Sequence, residues 1–197
     1  MTANARIGSR RVYTGRVISL DIDRVCFPDG SEGELEIIRH PGASAIVPFM
    51  NDPAGTSPEV MLVKQYRYAT SQYLYEIPAG RLDGAEGPEL CAHRELLEET
   101  GCTAAVMTFL TSMYTTPGFT DERIHLFMAT QLSQGIPHRE VDEFLEVEVM
   151  PLSRALAMIW QGQIQDAKTA LGLVFAAGRR SGDLDHARSE ISDRHST

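Results

Sequence analysis

Glu95, Glu98 and Glu99 stand at i, i+3 and i+4 of a segment, PELCAHRELLEET, that reads as helix. At 100° per residue the three carboxylates share one face, within roughly a 100° arc. Groups so close repel one another, and the arrangement is costly unless a cation neutralises it. Oxygen ligands at this density suit a hard cation, Mg²⁺ or Mn²⁺. The plainer alternative is a solvated acidic face, partly paired by Arg94 with Glu98 at i+4.

The elements that must hold this face are legible in outline. Pro88 suits a first helical position, with acidic Glu89 beside it, and Gly101 is the next breaker, so the helix spans 88–100. Upstream, Ile18, Leu20 and Ile22 alternate with Ser19, Asp21 and Asp23, the period of a half-buried strand. Phe27-Pro28-Asp29-Gly30 is a turn, with Gly30 able to take positive φ, and residues 35–39 return as a second strand. Apolar runs at 43–49 and 60–63 read as buried strands around the loop 51–58, with further strands at 73–77, 105–112, 124–130 and 144–149. Residues 152–177 read as two helices broken near Gly162, with the lone Trp160 expected to pack inside. His93 and His125 are expected in structural roles. The chain thus divides into a small N-terminal antiparallel sheet (1–42), a main domain (43–177) and a polar tail (178–197) expected to lack fixed structure. Mixed strands, one central helix and a C-terminal helical segment indicate an α/β or α+β sandwich.

The wider spacing is more specific than the helix. Gly80 is followed after five residues by Glu86, after seven more by Arg94-Glu95-Leu96, then by Glu98-Glu99, Gly101 and Cys102. This resembles the Nudix box, G-x5-E-x7-R-E-U-x-E-E-x-G-U with U a bulky aliphatic. The one departure is Cys102, which packs as a small hydrophobe. The resemblance implies an α/β/α sandwich, a mixed sheet between helices, with a loop–helix–loop cradle for divalent metal and pyrophosphate. Glu95 and Glu99 would be the principal metal ligands and Glu98 a further ligand or catalytic carboxylate. Arg94 would orient a glutamate of the box, and Gly80 and Gly101 would make tight backbone turns. The reaction would be attack of water on a phosphoryl group, with the metal stabilising the leaving phosphate.

Gln65-Tyr66-Arg67 and Tyr75-Glu76-Ile77-Pro78-Ala79-Gly80 resemble the ADP-ribose pyrophosphatase branch of that family, a likeness that runs through most of residues 12–177. By that likeness the Ala79 carbonyl is a metal ligand and Arg67 contacts the diphosphate, as an arginine fork suits phosphate oxygens. Glu76 is a substrate contact or a buried partner for a neighbouring amide. Pro117, about 16 residues past the box glycine, is the mark of the ADP-ribose hydrolases. Glu143, just before the aromatic that opens a strand, matches the loop glutamate that acts as general base or metal ligand, with Glu140 the second choice. Glu36 falls on a position that contacts adenosine across a subunit boundary, although the neighbouring basic position is His40 where some relatives carry arginine. The resemblance implies a homodimer and hydrolysis of ADP-ribose to AMP and ribose 5-phosphate. Another nucleoside diphosphate sugar, GDP-mannose or ADP-glucose, is the competing substrate, and a non-hydrolytic ADP-ribose sensor is the alternative of a different class.

Composition narrows the partners. A net charge of −9 argues against long nucleic acid, which requires a basic surface. No apolar run approaches the ~20 residues that span a bilayer. Three cysteines without a C-x-x-C pair point to a reduced compartment, with the cytoplasm as the expected location.

Overall fold

The computed structural model describes residues 5–135 and 145–181. Its organising strand is β4 (Ala43–Pro48), buried along its whole length. Period-two alternation sends β4 to both sides of a sheet. Ala43, Ala45 and Val47 join one core cluster with Leu126, Leu173 and Ala176, while Ile46 joins the other with Ala92, Leu96 and Phe127. β4 runs parallel to β9 (Arg123–Gln134) and antiparallel to β7 (Ala79–Arg81), and β8 (Cys102–Tyr114) completes a four-stranded sheet in the order β7-β4-β9-β8. A second, antiparallel sheet has the order β10 (Leu145–Pro151), β5 (Glu59–Arg67), β6 (Gln72–Glu76). Helix α1 (Pro88–Thr100) packs on one side, and α2 (Leu152–Trp160) with α3 (Ala167–Ser181) on the other. This is the α/β/α layering that the sequence led us to expect.

The ends of α1 follow their local chemistry. Pro88 occupies the first turn after Gly87, and Gly101 at φ 73° stops the helix with its N–H on the Leu97 carbonyl. The helical break at Gly162 (φ 70°) also holds. Two details differ. α3 runs to Ser181, so residues 178–181 belong to it rather than to the tail, since arginine sustains a helix and Gly178 alone does not end it. Trp160 is 87% exposed, because the buried stripe of α2 is Leu152, Ala155 and Met158 and the ring falls off that stripe.

The N-terminal sheet contains a strand that no apolar period announced, β1 (Ala5–Thr14), paired with β2 (Ser19–Cys26), which pairs in turn with β3 (Glu32–Arg39). In β2 the buried face is the reverse of the one expected. Asp21 and Asp23 are buried, while Leu20 and Ile22 are half-buried. Charged partners explain the reversal. Arg11 and Arg39 bond Asp21, and Ser9 and Arg39 bond Asp23. Arg39 also reaches Asp121 at 3.2 Å, and Ile38 N–H donates to the Phe119 carbonyl at 2.8 Å. Arg39 and the backbone of Ile38 fasten this sheet to the β8–β9 turn.

Candidate active site

Two buried glutamates anchor the acidic face of α1. Glu95 is 7% exposed and Glu99 3%, while Glu98 is partly exposed. Arg94 takes the neighbouring carboxylates around its guanidinium: Nη2 on Glu86 Oε1 at 2.6 Å, Nη1 on Glu95 Oε1 at 2.6 Å and on Glu98 Oε2 at 2.9 Å, and Nη2 on the Arg81 carbonyl at 2.9 Å. The hydrogen bond from Arg94 holds the Glu86 carboxyl below the usual range, against the effect of burial. Among the described residues no three carboxylate, imidazole or thiol groups are arranged to hold a metal ion, with Glu86, Glu95 and Glu98 turned onto Arg94.

The loop before α1 meets this face closely. Ala79 N–H donates to Glu99 Oε2 at 3.2 Å. Gly80 lies in β7 rather than in a tight turn. A side chain there would displace the Glu95 carboxylate, because a Cβ would overlap it. Cys91 sits beneath the same strand with Sγ 3.3 Å from the Arg81 carbonyl, and burial pushes its thiol up to about 12, so it is a neutral packing group. Ser44 Oγ donates to the Pro88 carbonyl at 2.7 Å, tying the start of α1 to β4.

The opposite wall carries two cations, each paired with a carboxylate. Arg67 grips Glu76 side-on, Nε to Oε1 at 2.6 Å and Nη2 to Oε2 at 2.7 Å. Lys168 bonds the same Oε2 and lies 3.0 Å from Asp166. Burial alone would raise the Glu76 carboxyl, but the Arg67 hydrogen bond and the Lys168 charge outweigh it and hold the group ionised. Between the walls is a cavity of about 990 Å³, lined by Arg67 and Lys168 on one side and by Gly80, Arg94, Glu95 and Glu98 on the other.

The NUDIX domain matches residues 39–170, about two thirds of the chain. The chain belongs to the Nudix family. An ADP-ribose pyrophosphatase of Bacillus subtilis is 39% identical over 171 residues, covering 86% of this Nudix chain and 90% of its relative. A GDP-mannose pyrophosphatase of Salmonella typhimurium is 34% identical over 185 residues, covering 84% and 88%. A solved structure described as an ADP compounds hydrolase superposes with a TM-score of 0.79 over 92% of this chain and 96% of its own; at 20% identity it speaks for the shared fold.

Measured against the Nudix box, the fold brings Ala79, Arg94, Glu95 and Glu98 to one cavity, with Glu99 bonded to Ala79 behind it, and sets Arg67 and Glu76 across from them. Glu76 is buried, but its partners are the cations Arg67 and Lys168 and not an amide. Pro117 is exposed and does not line the cavity, although Thr115 and Thr116 beside it do. Glu36 is exposed on β3, opposite Ile22, and is not brought to this chain's own cavity. Glu143 and Glu140 lie outside the described residues. His40 does reach the cavity, 3.5 Å from Glu122. His125 bonds Ser112 at 3.2 Å, and burial, then Arg123, lowers its pKa. Sequence reasoning missed Lys168, Asp166 and Thr169. Their only signal was Asp166 opening a helical segment with Thr169 three residues on, an N-cap pattern.

Proposed function

We propose that this Nudix protein hydrolyses the pyrophosphate bond of ADP-ribose to AMP and ribose 5-phosphate. The observation that carries the reading is the two-sided cavity, with carboxylates on a helix facing an arginine and a lysine. A diphosphate bridging the two would meet cation-binding oxygens on one side and guanidinium donors on the other. The similarity to an ADP-ribose pyrophosphatase over most of both chains supports the choice of nucleotide.

A hard divalent cation fits this donor set, which is all oxygen, and Gly80 leaves the space that the Glu95 carboxylate occupies. Mg²⁺ is the proposed ion, with Mn²⁺ able to replace it. Glu95, Glu99 and the Ala79 carbonyl would hold it, with Glu98 as a further ligand. When bound, it would polarise the phosphoryl oxygens and lower the pKa of an attacking water. Arg94 orients Glu95 and Glu98. Arg67, fixed by Glu76, directs its remaining donors at the diphosphate. Glu143 is proposed as the base that takes the water's proton. Glu36 would act across a homodimer, on the adenosine of the partner's substrate. Three free cysteines are consistent with a cytoplasmic location, and no helix among the described residues is long and apolar enough to cross a membrane.

GDP-mannose is the second reading, favoured by the relative that carries that activity in its name. Comparing kcat/KM for ADP-ribose, ADP-glucose and GDP-mannose with Mg²⁺ separates the two. A preference for ADP-ribose above about tenfold, ~1.4 kcal/mol in the transition state, supports the first reading, and the reverse preference replaces it with the second.

A further inference from the structure

The first turn of α3 is fastened to the cavity wall at adjacent points. Ile77 N–H donates to Thr169 Oγ1 at 2.9 Å, and Lys168 Nζ donates to Glu76 Oε2. Asp166 caps the helix through the Thr169 N–H at 2.9 Å and holds the lysine at 3.0 Å. Glu76 is 2% exposed and carries its charge between two cations, one on β5 and one on α3.

A buried carboxylate with two cationic partners is fixed in both position and rotation, and whatever it holds is fixed with it. Glu76 holds Arg67 by the Nε–Nη2 edge, so that among the described residues Nη1 is left without a hydrogen bond, on a residue that lines the cavity. The charges of the four groups balance, Arg67 and Lys168 against Glu76 and Asp166.

We propose that Lys168 is a positioning residue for Arg67, acting through the shared carboxylate of Glu76. This rests on the reading of the cavity as a diphosphate site. It makes α3, across the cavity from the acidic helix, a determinant of how firmly the phosphates are held. The role is grip and not bond breaking, so the signature lies in affinity.

The test is a double-mutant cycle between Lys168→Met and Arg67→Ala, read by calorimetric titration of ADP-ribose into protein with EDTA and by KM and kcat with Mg²⁺. Lys168→Met is expected to weaken binding and raise KM by about tenfold, as for loss of a charged hydrogen-bond partner, with a much smaller fall in kcat. In the Arg67→Ala background the same change should cost less than about twofold, because the group it positions is gone. Lys168→Arg, which keeps the charge, should stay close to the parent. Should Lys168→Met fail to fold, Lys168→Gln takes its place. Equal losses in both backgrounds would mean that Lys168 grips the ligand directly, and this would overturn the proposal, as would unchanged affinity in Lys168→Met. If Arg67→Ala alone leaves ADP-ribose binding intact, the diphosphate reading of this wall fails first and the positioning role with it.

Discussion

An alanine at position 80 would drive a methyl group into all three atoms of the Glu95 carboxylate. To regain the 3.0 Å that real Cβ contacts respect, that carboxylate must retreat by about 1 Å, a displacement that costs on the order of 100-fold in rate when it falls on reacting geometry. Glu95 has little room to do so, being 7% exposed and held by Arg94. We therefore expect kcat for ADP-ribose with Mg²⁺ to fall about 100-fold in Gly80→Ala. Overpacking should also cost ~1–3 kcal/mol, which for a chain of this size lowers Tm by roughly 2–12 °C. Glu95→Asp in the same background withdraws the carboxylate by one methylene. It should recover the melting temperature without recovering turnover. Gly87→Ala, where a Cβ meets nothing within 4 Å, is the control and should leave turnover unchanged. A Gly80→Ala protein that turns over at the parental rate would refute the argument that the placement of Glu95 sets the rate.

Further expectations follow from other parts of the molecule. Glu99→Gln keeps an oxygen for the Ala79 N–H but removes the charge, so turnover should fall by two orders of magnitude or so while the melting temperature stays near that of the parent; retained activity would remove Glu99 from the metal site. Asp21 is held below the ordinary range by Arg11 and, against burial, by Arg39, and Asp23 by Ser9 and, against burial, by Arg39. Their stabilisation is therefore present above the unfolded value of ~3.9 and lost as pH falls below it. Arg39→Gln should thus lower the urea midpoint at pH 7, and the gap from the parent should narrow at pH 3; a gap independent of pH would contradict this. Trp160→Ala should change stability by no more than ~0.5 kcal/mol in urea titrations, as expected at an exposed site. Sedimentation at assay concentrations should give a dimer, and a monomer would remove Glu36 from the site.

What could be read from sequence was what depends on near neighbours. The helix limits at Pro88 and Gly101 and the shared face of Glu95, Glu98 and Glu99 depend on groups within a turn or two, so their spacing was informative. β7 is three residues long and has no period to detect. β1 and the inverted face of β2 were missed because Asp21 and Asp23 are buried against Ser9, Arg11 and Arg39 of the flanking strands, and alternation counts only apolar positions. The wall of paired charges was half legible. Arg67 and Glu76 could be named, but not that each was the other's partner, and Lys168 joins them from 92 residues away, a distance over which no local pattern extends.

The separation between Ile77 and Thr169 is also an interval of time. At synthesis rates of ~5–20 residues per second, those 92 residues take roughly 5–20 s to emerge. A growing chain therefore displays its acidic helix well before the segment that steadies the arginine has left the ribosome. On the proposed role of Lys168, full grip on phosphate would be acquired only when α3 docks, so an unfinished copy would carry the carboxylates with a weaker hold on nucleotide.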